Sequence, residues 1–513
     1  MSDSTNRDAL GAPGELVPLA ARRLGLHTQR EDVAIVHRDC SVARSEGLSG
    51  RSRVELRANR KRAVARLYQV DNGMVAPDSI GLSESAWHKL RLDEGEGVTL
   101  HHARDTGSMR ALRGKVYGHR LSQRDASAIF RDIVDGKLSD VQIAAFVAAL
   151  ASHAPERTEI TALTHAMVAI GERLSWPGEV VVDKHCVGGL PGNRTTPIVV
   201  SIVAAAGLTI PKTSSRAITS PAGTADTVET MTRVDLGVKD MRRVVEQEGG
   251  CLVWGGGIDL SPADDLLIRV EHELELDCTS QMVASVLSKK IAAGSTHVLI
   301  DVPVGPTAKV RSRADADELA MFMRGVGEAF GLTVRTVMSD GLQPVGDGIG
   351  PALEARDVLA VLENDPHAPQ ELRTRALGLA AAVLEMGGAC ATGSGIGAAT
   401  AILDEGRALA KFMAICEAQG GFRRPGIAPF TKVIESERPG HVADIDNRRL
   451  ARLAKLAGAP QAPTAGVALH VNLGDGISRG QPLLTLHGES RGELDYAIDY
   501  YQTNTNLIEV RAK

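Results

Sequence analysis

At 513 residues the chain is too long for one compact core, so roughly two to four domains are expected. Hydrophobic residues make up 43% and charged residues 24%, ordinary globular usage that excludes a disordered or fibrous chain. The formal net charge of −5 gives no global attraction to nucleic acid or to an anionic membrane, so an anion must be met by a local positive site. The opening MSDSTNRDALGAPGEL lacks the basic region and apolar stretch of a signal peptide, and no uninterrupted run of about 18 apolar residues follows. Cys40, Cys186, Cys251, Cys278, Cys390 and Cys416 stand singly with no Cys-x-x-Cys pair. A reducing, cytoplasmic setting is the expectation.

From about Val33 to His102 the segments DVAIVH, RVELRA, AVARLYQV and GVTLHHA are short and β-like, predicting a β-rich N-terminal domain over residues 1–105. Arg51, Arg53, Arg57, Arg60, Lys61, Arg62 and Arg66 lie within it and alternate with apolar residues, the pattern of a solvated strand face. From Ser122 the period becomes helical, with Ser122 and Ser139 as N-caps, Gly136 as a stop, and a third helix from about Thr158 to Ile170. Strands and helices then alternate to about Pro425, an α/β pattern. After Pro439 a short helix near Asn447 to Leu456 precedes GVALHVNLGDGISRGQPLLTLHG, which predicts an α+β, barrel-sandwich-like C-terminal domain over 429–513. ATGSGIGAAT at Ala391 to Thr400 follows a helical pattern rather than a strand, so it reads as a helix–loop–helix junction and not a dinucleotide loop.

The chemistry concentrates in the middle. In VVVDKHCVGGLPGNRTTPIVVSIVAAAGL an apolar strand is expected to end at Asp183. Gly188, Gly189, Pro191 and Gly192 then form a loop whose N–H groups can approach an anion, and a helix follows with Thr196 as N-cap and Pro197 as first residue. Lys184 and Thr196 can add a charge and a hydroxyl to a bound phosphate. PKTSSRAITSPAGTADTVETM repeats this logic: Ser214, Ser215, Arg216, Thr219, Ser220 and Thr224 precede a helix starting near Gly223. A third tract carries Arg269, Asp277, Ser285 and Lys289; Ser285 and Lys289 are four apart and share one helix face, which suits reading the edge of a heterocycle.

In order, DKHxxGGxPGN, KTSSRAIT, GTADT, VWGG, PADD and SQMxASxxxKK resemble the thymidine and pyrimidine-nucleoside phosphorylases, especially the long-chain branch that includes AMP phosphorylases. The likeness is dense from Val181 to Val310 and continues through DGLQPVGDGIGPALEARDVL. It implies a helical domain (106–175 plus 258–292), an α/β phosphate domain (176–257 plus 293–428) and a cleft closing between them. It further implies catalytic roles for Lys184, His185 and Asp277, and phosphate binding by Lys184, Cys186, Gly189, Thr196, Ser214 and Thr224. Substrate would be held by Ser215, Arg216, Ala217, Ile218, Thr219, Ser220, Arg269, Ser285, Lys289 and Lys309. In the AMP branch Asp277 is the proton donor. The family usually has serine where this chain has Cys186, a weaker hydrogen-bond donor.

The resemblance implies no metal or cofactor, with inorganic phosphate as co-substrate, and a homodimer or larger homo-oligomer acting on a nucleoside or nucleotide, with neither nucleic acid nor membrane as partner. Thymidine is the first expectation and AMP the alternative, because His185, Arg269 and Lys289 suit a pyrimidine leaving as an anion while Asp277 suits a purine protonated at N7. Competing readings are an anthranilate-type phosphoribosyltransferase, which needs an acidic metal site, and an RNA-binding protein using the arginine-rich β domain.

Overall fold

The computed structural model describes residues 17–512 except 29, 30, 51, 104, 105, 218, 219, 259, 275 and 277. They form two compact units, one running to Tyr117 and including Ala128–Ile143, the other comprising Gly118–Ser127 and Ala144 onward.

The first unit is built on strands β1 (Leu19–Arg23), β2 (Val33–His37), β3 (Arg53–Ala58), β4 (Lys61–Val70), β5 (Ser79–Leu82) and β6 (Gly97–His102). They close into a barrel in the order β1-β5-β2-β4-β3-β6, with β1/β5 and β2/β4 parallel. Period-2 alternation drives this: Val54, Leu56, Ala63, Ala65 and Leu67 point inward, and closure leaves no strand edge open. Several of the basic residues are engaged locally. Arg57 pairs with Glu55 at 2.5 Å, Arg66 with Glu31 at 3.3 Å, and Arg53 donates to the carbonyls of Gly136 and Lys137. Arg51 lies outside the described residues. Helices α1 (Ser41–Ser45), α2 (Glu84–Leu90) and α3 (Ser108–Val116) complete the segment.

Helices α4 (Gln123–Val134), α5 (Asp140–Ser152) and α6 (Arg157–Ile170) follow. Ser122 and Ser139 cap as expected, accepting from the N–H groups of Asp125 (3.2 Å) and Gln142 (3.3 Å), and Gln142 closes a capping box back to Ser139.

The second unit carries an alternating segment: β7 (Val182–Cys186), α7 (Thr195–Ala205), β8 (Ile210–Ser214), α8 (Thr224–Glu229), α9 (Val238–Glu248), β9 (Gly250–Trp254), α10 (Pro262–Leu274), α11 (Thr279–Ala292), β10 (His297–Val304), α12 (Arg313–Glu328) and β11 (Thr333–Asp340). Strands β11-β10-β7 are parallel neighbours, as are β8-β9, and a Val181–Thr209 bridge brings β7 to β8. Two sequence expectations change here. The strand does not end at Asp183 but runs to Cys186, because β10 pairs with it as far as Asp301. Helix α7 starts at Thr195 with Arg194 as N-cap, and Thr196 is not the cap. That helix is apolar and buried along most of its length, so packing determines its start more than a capping hydroxyl does.

Next come β12 (Gly348–Ile349), α13 (Pro351–Leu362), α14 (Gln370–Met386), α15 (Gly395–Asp404) and α16 (Arg407–Gln419), which cover the α/β core; ATGSGIGAAT falls at the α14–α15 junction. The chain ends with β13 (Phe430–Glu435), β14 (Gly440–Ile445), α17 (Asn447–Leu456), β15 (Gly466–Leu469), β16 (Gly476–Ile477), β17 (Pro482–Gly488), α18 (Arg491–Thr503) and β18 (Ile508–Arg511). These strands form sheets ordered β12-β15-β17-β13 and β16-β14-β18. Strand β12 thereby ties the C-terminal segment to the start of α13.

The turn before α13 rests on one half-buried acid. Asp357 accepts from the Gly348 N–H at 2.7 Å, and burial pushes its carboxyl up to about 8. A carboxyl raised above its unfolded value binds its proton more tightly in the folded protein. Its stabilising contribution is therefore complete below about pH 4 and is lost as pH rises through about 8. Asp357→Asn is expected to flatten this dependence, gaining on the order of 2–3 kcal/mol relative to the parent between pH 6 and pH 9. Thermal unfolding across that range checks it; parallel pH profiles would refute it.

Candidate active site

Strand β7 lies between β10 and the β8 side of the sheet; Asp183 and Lys184, on its two faces, are fully buried, while His185 and Cys186 are half-buried. Lys184 is fully buried and its Nζ donates to Thr195 Oγ1 at 2.7 Å, at the first turn of α7. Asp183 takes the opposite face by strand alternation. There it meets Lys290 of α11 at 2.7 Å and Lys212 of β8 at 3.4 Å. Burial alone would raise the Asp183 carboxyl, but these two cations hold it below its ordinary value. Lys212 is pulled down to about 7 by burial, with Asp183 opposing.

His185, on the Asp183 face, is held well below its usual value by burial and then by Lys290, Lys212, Lys289 and Lys184. It is a neutral imidazole at pH 7, able to offer an N–H hydrogen bond but no charge. Cys186 stands in register with Asp301 and accepts from Asn193 Nδ2 at 3.3 Å; burial and Asp301 push its thiol up to about 12. It is a weak donor, not a thiolate nucleophile.

Two glycines shape the loops. Gly189 has φ +95°, and a Cβ there would stand 2.5 Å from the Lys309 backbone nitrogen, which brings Lys309 to the glycine loop. At Gly223 a Cβ would meet Arg216 and Ala217 backbone atoms at 2.5 and 2.6 Å, so only glycine lets residues 215–217 lie on the start of α8. Asp226 fastens that contact, accepting from the N–H groups of Ala217 (2.6 Å) and Gly223 (2.8 Å). Arg216 is bound to Glu229 at 2.5 Å and Asp226 at 3.2 Å and stacks on Trp254 at 4.8 Å, which ties the same loop to α8 and β9. Ser214 Oγ is buried without a hydrogen-bond partner among the described residues, as a group reserved for a ligand would be. Ser220 donates to the Ala222 carbonyl at 2.8 Å. Thr224 opens α8, where Arg194 donates to its Oγ1 at 2.9 Å.

On the helical side, Lys289 of α11 pairs with buried Asp264 of α10 at 2.5 Å; burial works against its charge, yet Asp264 carries it above the ordinary lysine value. Ser285 sits one turn earlier, half-buried, and Arg269 lies on α10. Ile218, Thr219 and Asp277 lie outside the described residues. The structure thus brings Lys184, the start of α7 and Thr224 into one connected network, with the loop of Ser215 and Ala217 lying on α8. Thr196 is buried in the first turn of α7, but the hydroxyl beside Lys184 is that of Thr195.

The sequence reading missed Lys212, Lys290, Asp264, Arg194 and Glu354. Lys290 adjoins Lys289 and Lys212 opens the KTSS motif, but nothing local marks their partners.

Family models match three stretches: the glycosyl transferase family helical bundle domain at 109–171, the glycosyl transferase family a/b domain at 178–409, and the pyrimidine nucleoside phosphorylase C-terminal domain at 441–507. A Polaromonas protein named "Putative thymidine phosphorylase" is 55% identical over 96% of each chain. A Hahella chejuensis protein of the same name is 52% identical over 97% of this chain and 98% of that one. Anthranilate phosphoribosyltransferase from Thermus thermophilus superposes with a TM-score of 0.52 at 19% identity, over 60% of this chain and 99% of its own, a likeness of fold alone. A parallel-sheet domain of this kind, with a hydroxyl-rich cationic edge and glycosyl-transferring family models, defines a pentosyltransferase of the nucleoside phosphorylase class. The chain belongs to the thymidine/pyrimidine-nucleoside phosphorylase family. Among the described residues no helix is long and apolar enough to cross a membrane.

Proposed function

We propose that the protein is a thymidine phosphorylase, converting thymidine and phosphate to thymine and 2-deoxyribose 1-phosphate. The observation that carries this reading is the link from buried Lys184 through Thr195 to the paired starts of α7 and α8, a cradle suited to an oxyanion. The names of the relatives supply the pyrimidine. Phosphate held by Lys184, Ser214 and Thr224, with Cys186, Gly189 and Thr196 alongside, attacks the anomeric carbon. The N-glycosidic bond breaks through an oxocarbenium-like state, and its electron pair leaves with the base. Positioning supplies most of the acceleration. Lys289 and Arg269 stabilise the charge developing on the pyrimidine carbonyls, and neutral His185 contributes a hydrogen bond.

AMP is the second reading, favoured by the approach of the Lys309 backbone to Gly189, which roots a lysine side chain beside the glycine loop, a residue type that a second phosphate group would call for. Base release from thymidine and from AMP, with and without phosphate, tests both. The expected result is phosphate-dependent release of thymine with formation of a pentose 1-phosphate; equal release in phosphate-free buffer would make the enzyme a hydrolase and end this reading.

A further inference from the structure

We propose that Arg194 and Glu354 form a positioning latch that orients the Thr224 hydroxyl and holds the starts of α7 and α8 at the spacing phosphate requires. The proposal rests on the reading of Thr224 as a phosphate ligand.

Both residues are buried, Arg194 at 8% and Glu354 at 1% exposure, and stand 160 positions apart in sequence. Arg194 caps α7, and its planar fork is used in three directions at once. Nε donates to Glu354 Oε2 at 2.5 Å, Nη1 to Thr224 Oγ1 at 2.9 Å, and Nη2 to the Ala222 carbonyl at 2.9 Å. Glu354 in turn accepts from Thr227 Oγ1 of α8 at 3.4 Å and from the Gly350 N–H before α13 at 3.3 Å. One ion pair therefore joins the starts of three helices.

Its chemical effect falls on Thr224. A hydroxyl has one proton and two lone pairs; with Nη1 occupying a lone pair, the proton points away from the guanidinium and is free to be donated. A threonine so held is a committed donor toward an anion, whereas a freely rotating one must give up that freedom on binding. Glu354 balances the charge of Arg194, so the latch acts through geometry more than through net field. Lysine could keep the pair with Glu354 but has no planar fork to reach Thr224 and Ala222 together.

The test is steady-state kinetics with phosphate and nucleoside varied separately, alongside thermal unfolding, for R194K, T224V and R194K/T224V. R194K is expected to fold and to raise KM for phosphate about tenfold, the scale of one hydrogen bond to a charged group, with kcat and nucleoside KM within about threefold of the parent. T224V should raise phosphate KM comparably, and the double variant should be no worse than T224V alone, because the two act as a unit. A parental phosphate KM in R194K, or full additivity in the double variant, overturns the latch while leaving the site reading intact. A parental phosphate KM in T224V removes the site reading and the latch with it. If R194K does not fold, R194M/E354M, which removes both buried charges together, carries the same expectation and the same refutation.

Discussion

Replacing Lys184 with alanine is expected to lower turnover by about two orders of magnitude or more. The ammonium is fully buried, and its contact with Thr195 Oγ1 at 2.7 Å holds it at the start of α7. On the proposed reading a cation there would meet the attacking phosphate in a water-poor setting, where its field is weakly screened and needs no reorganisation. Alanine also leaves a cavity inside the sheet, so the shape-conserving Lys184→Met is the necessary companion. Both variants should lose turnover alike, whereas only alanine should lose several degrees of thermal stability. Normal kinetics in Lys184→Met would show that the anion lies elsewhere.

The second large effect concerns the base. If a pyrimidine is the substrate, Lys289→Met is expected to cost about 3 kcal/mol in kcat/KM, because the charge leaving with the base loses its counter-ion. The pair with Asp264 at 2.5 Å adds a complication that the helix spacing alone did not disclose. Truncating Lys289 leaves Asp264 buried beside Gln281 without its cation, which costs stability as well as rate. Asp264→Asn separates the two contributions, since it keeps the amine in place but removes the carboxylate that sustains its charge against burial, so its catalytic loss should diminish as pH falls whereas that of Lys289→Met should not. Asp277→Asn should cost little with thymidine. For AMP the order reverses, because protonation at N7 depends on the acid while the carbonyl grips hold nothing equivalent. Measuring kcat/KM for these variants on both substrates decides between them, and a dominant Asp277 effect with AMP turnover would replace the pyrimidine reading.

The amino-acid sequence by itself determined what depends on neighbours in the chain. Helix α17 falls at Asn447–Leu456 as expected, because Asp446 caps it by accepting from Arg448 and Arg449, all within four positions. The capping box at Ser139 and Gln142 and the glycine string at the α14–α15 junction were legible for the same reason. So were the glycine loop after β7 and the hydroxyl-rich start of α8, whose chemistry is written in consecutive residues. Tertiary structure decided which charges meet. Asp183 looked like the end of a strand, yet pairing with β10 carries β7 on to Cys186 and leaves Asp183 buried between Lys212 and Lys290. Burial, and after it four lysines, keep His185 neutral, although only Lys184 adjoins it in sequence. Arg194 and Glu354 are 160 positions apart, and no periodicity links them. Periodicity and capping report local hydrogen bonding and the face an element buries, whereas a buried ion pair follows from which elements pack together, since a charge withdrawn from water takes the partner that packing supplies.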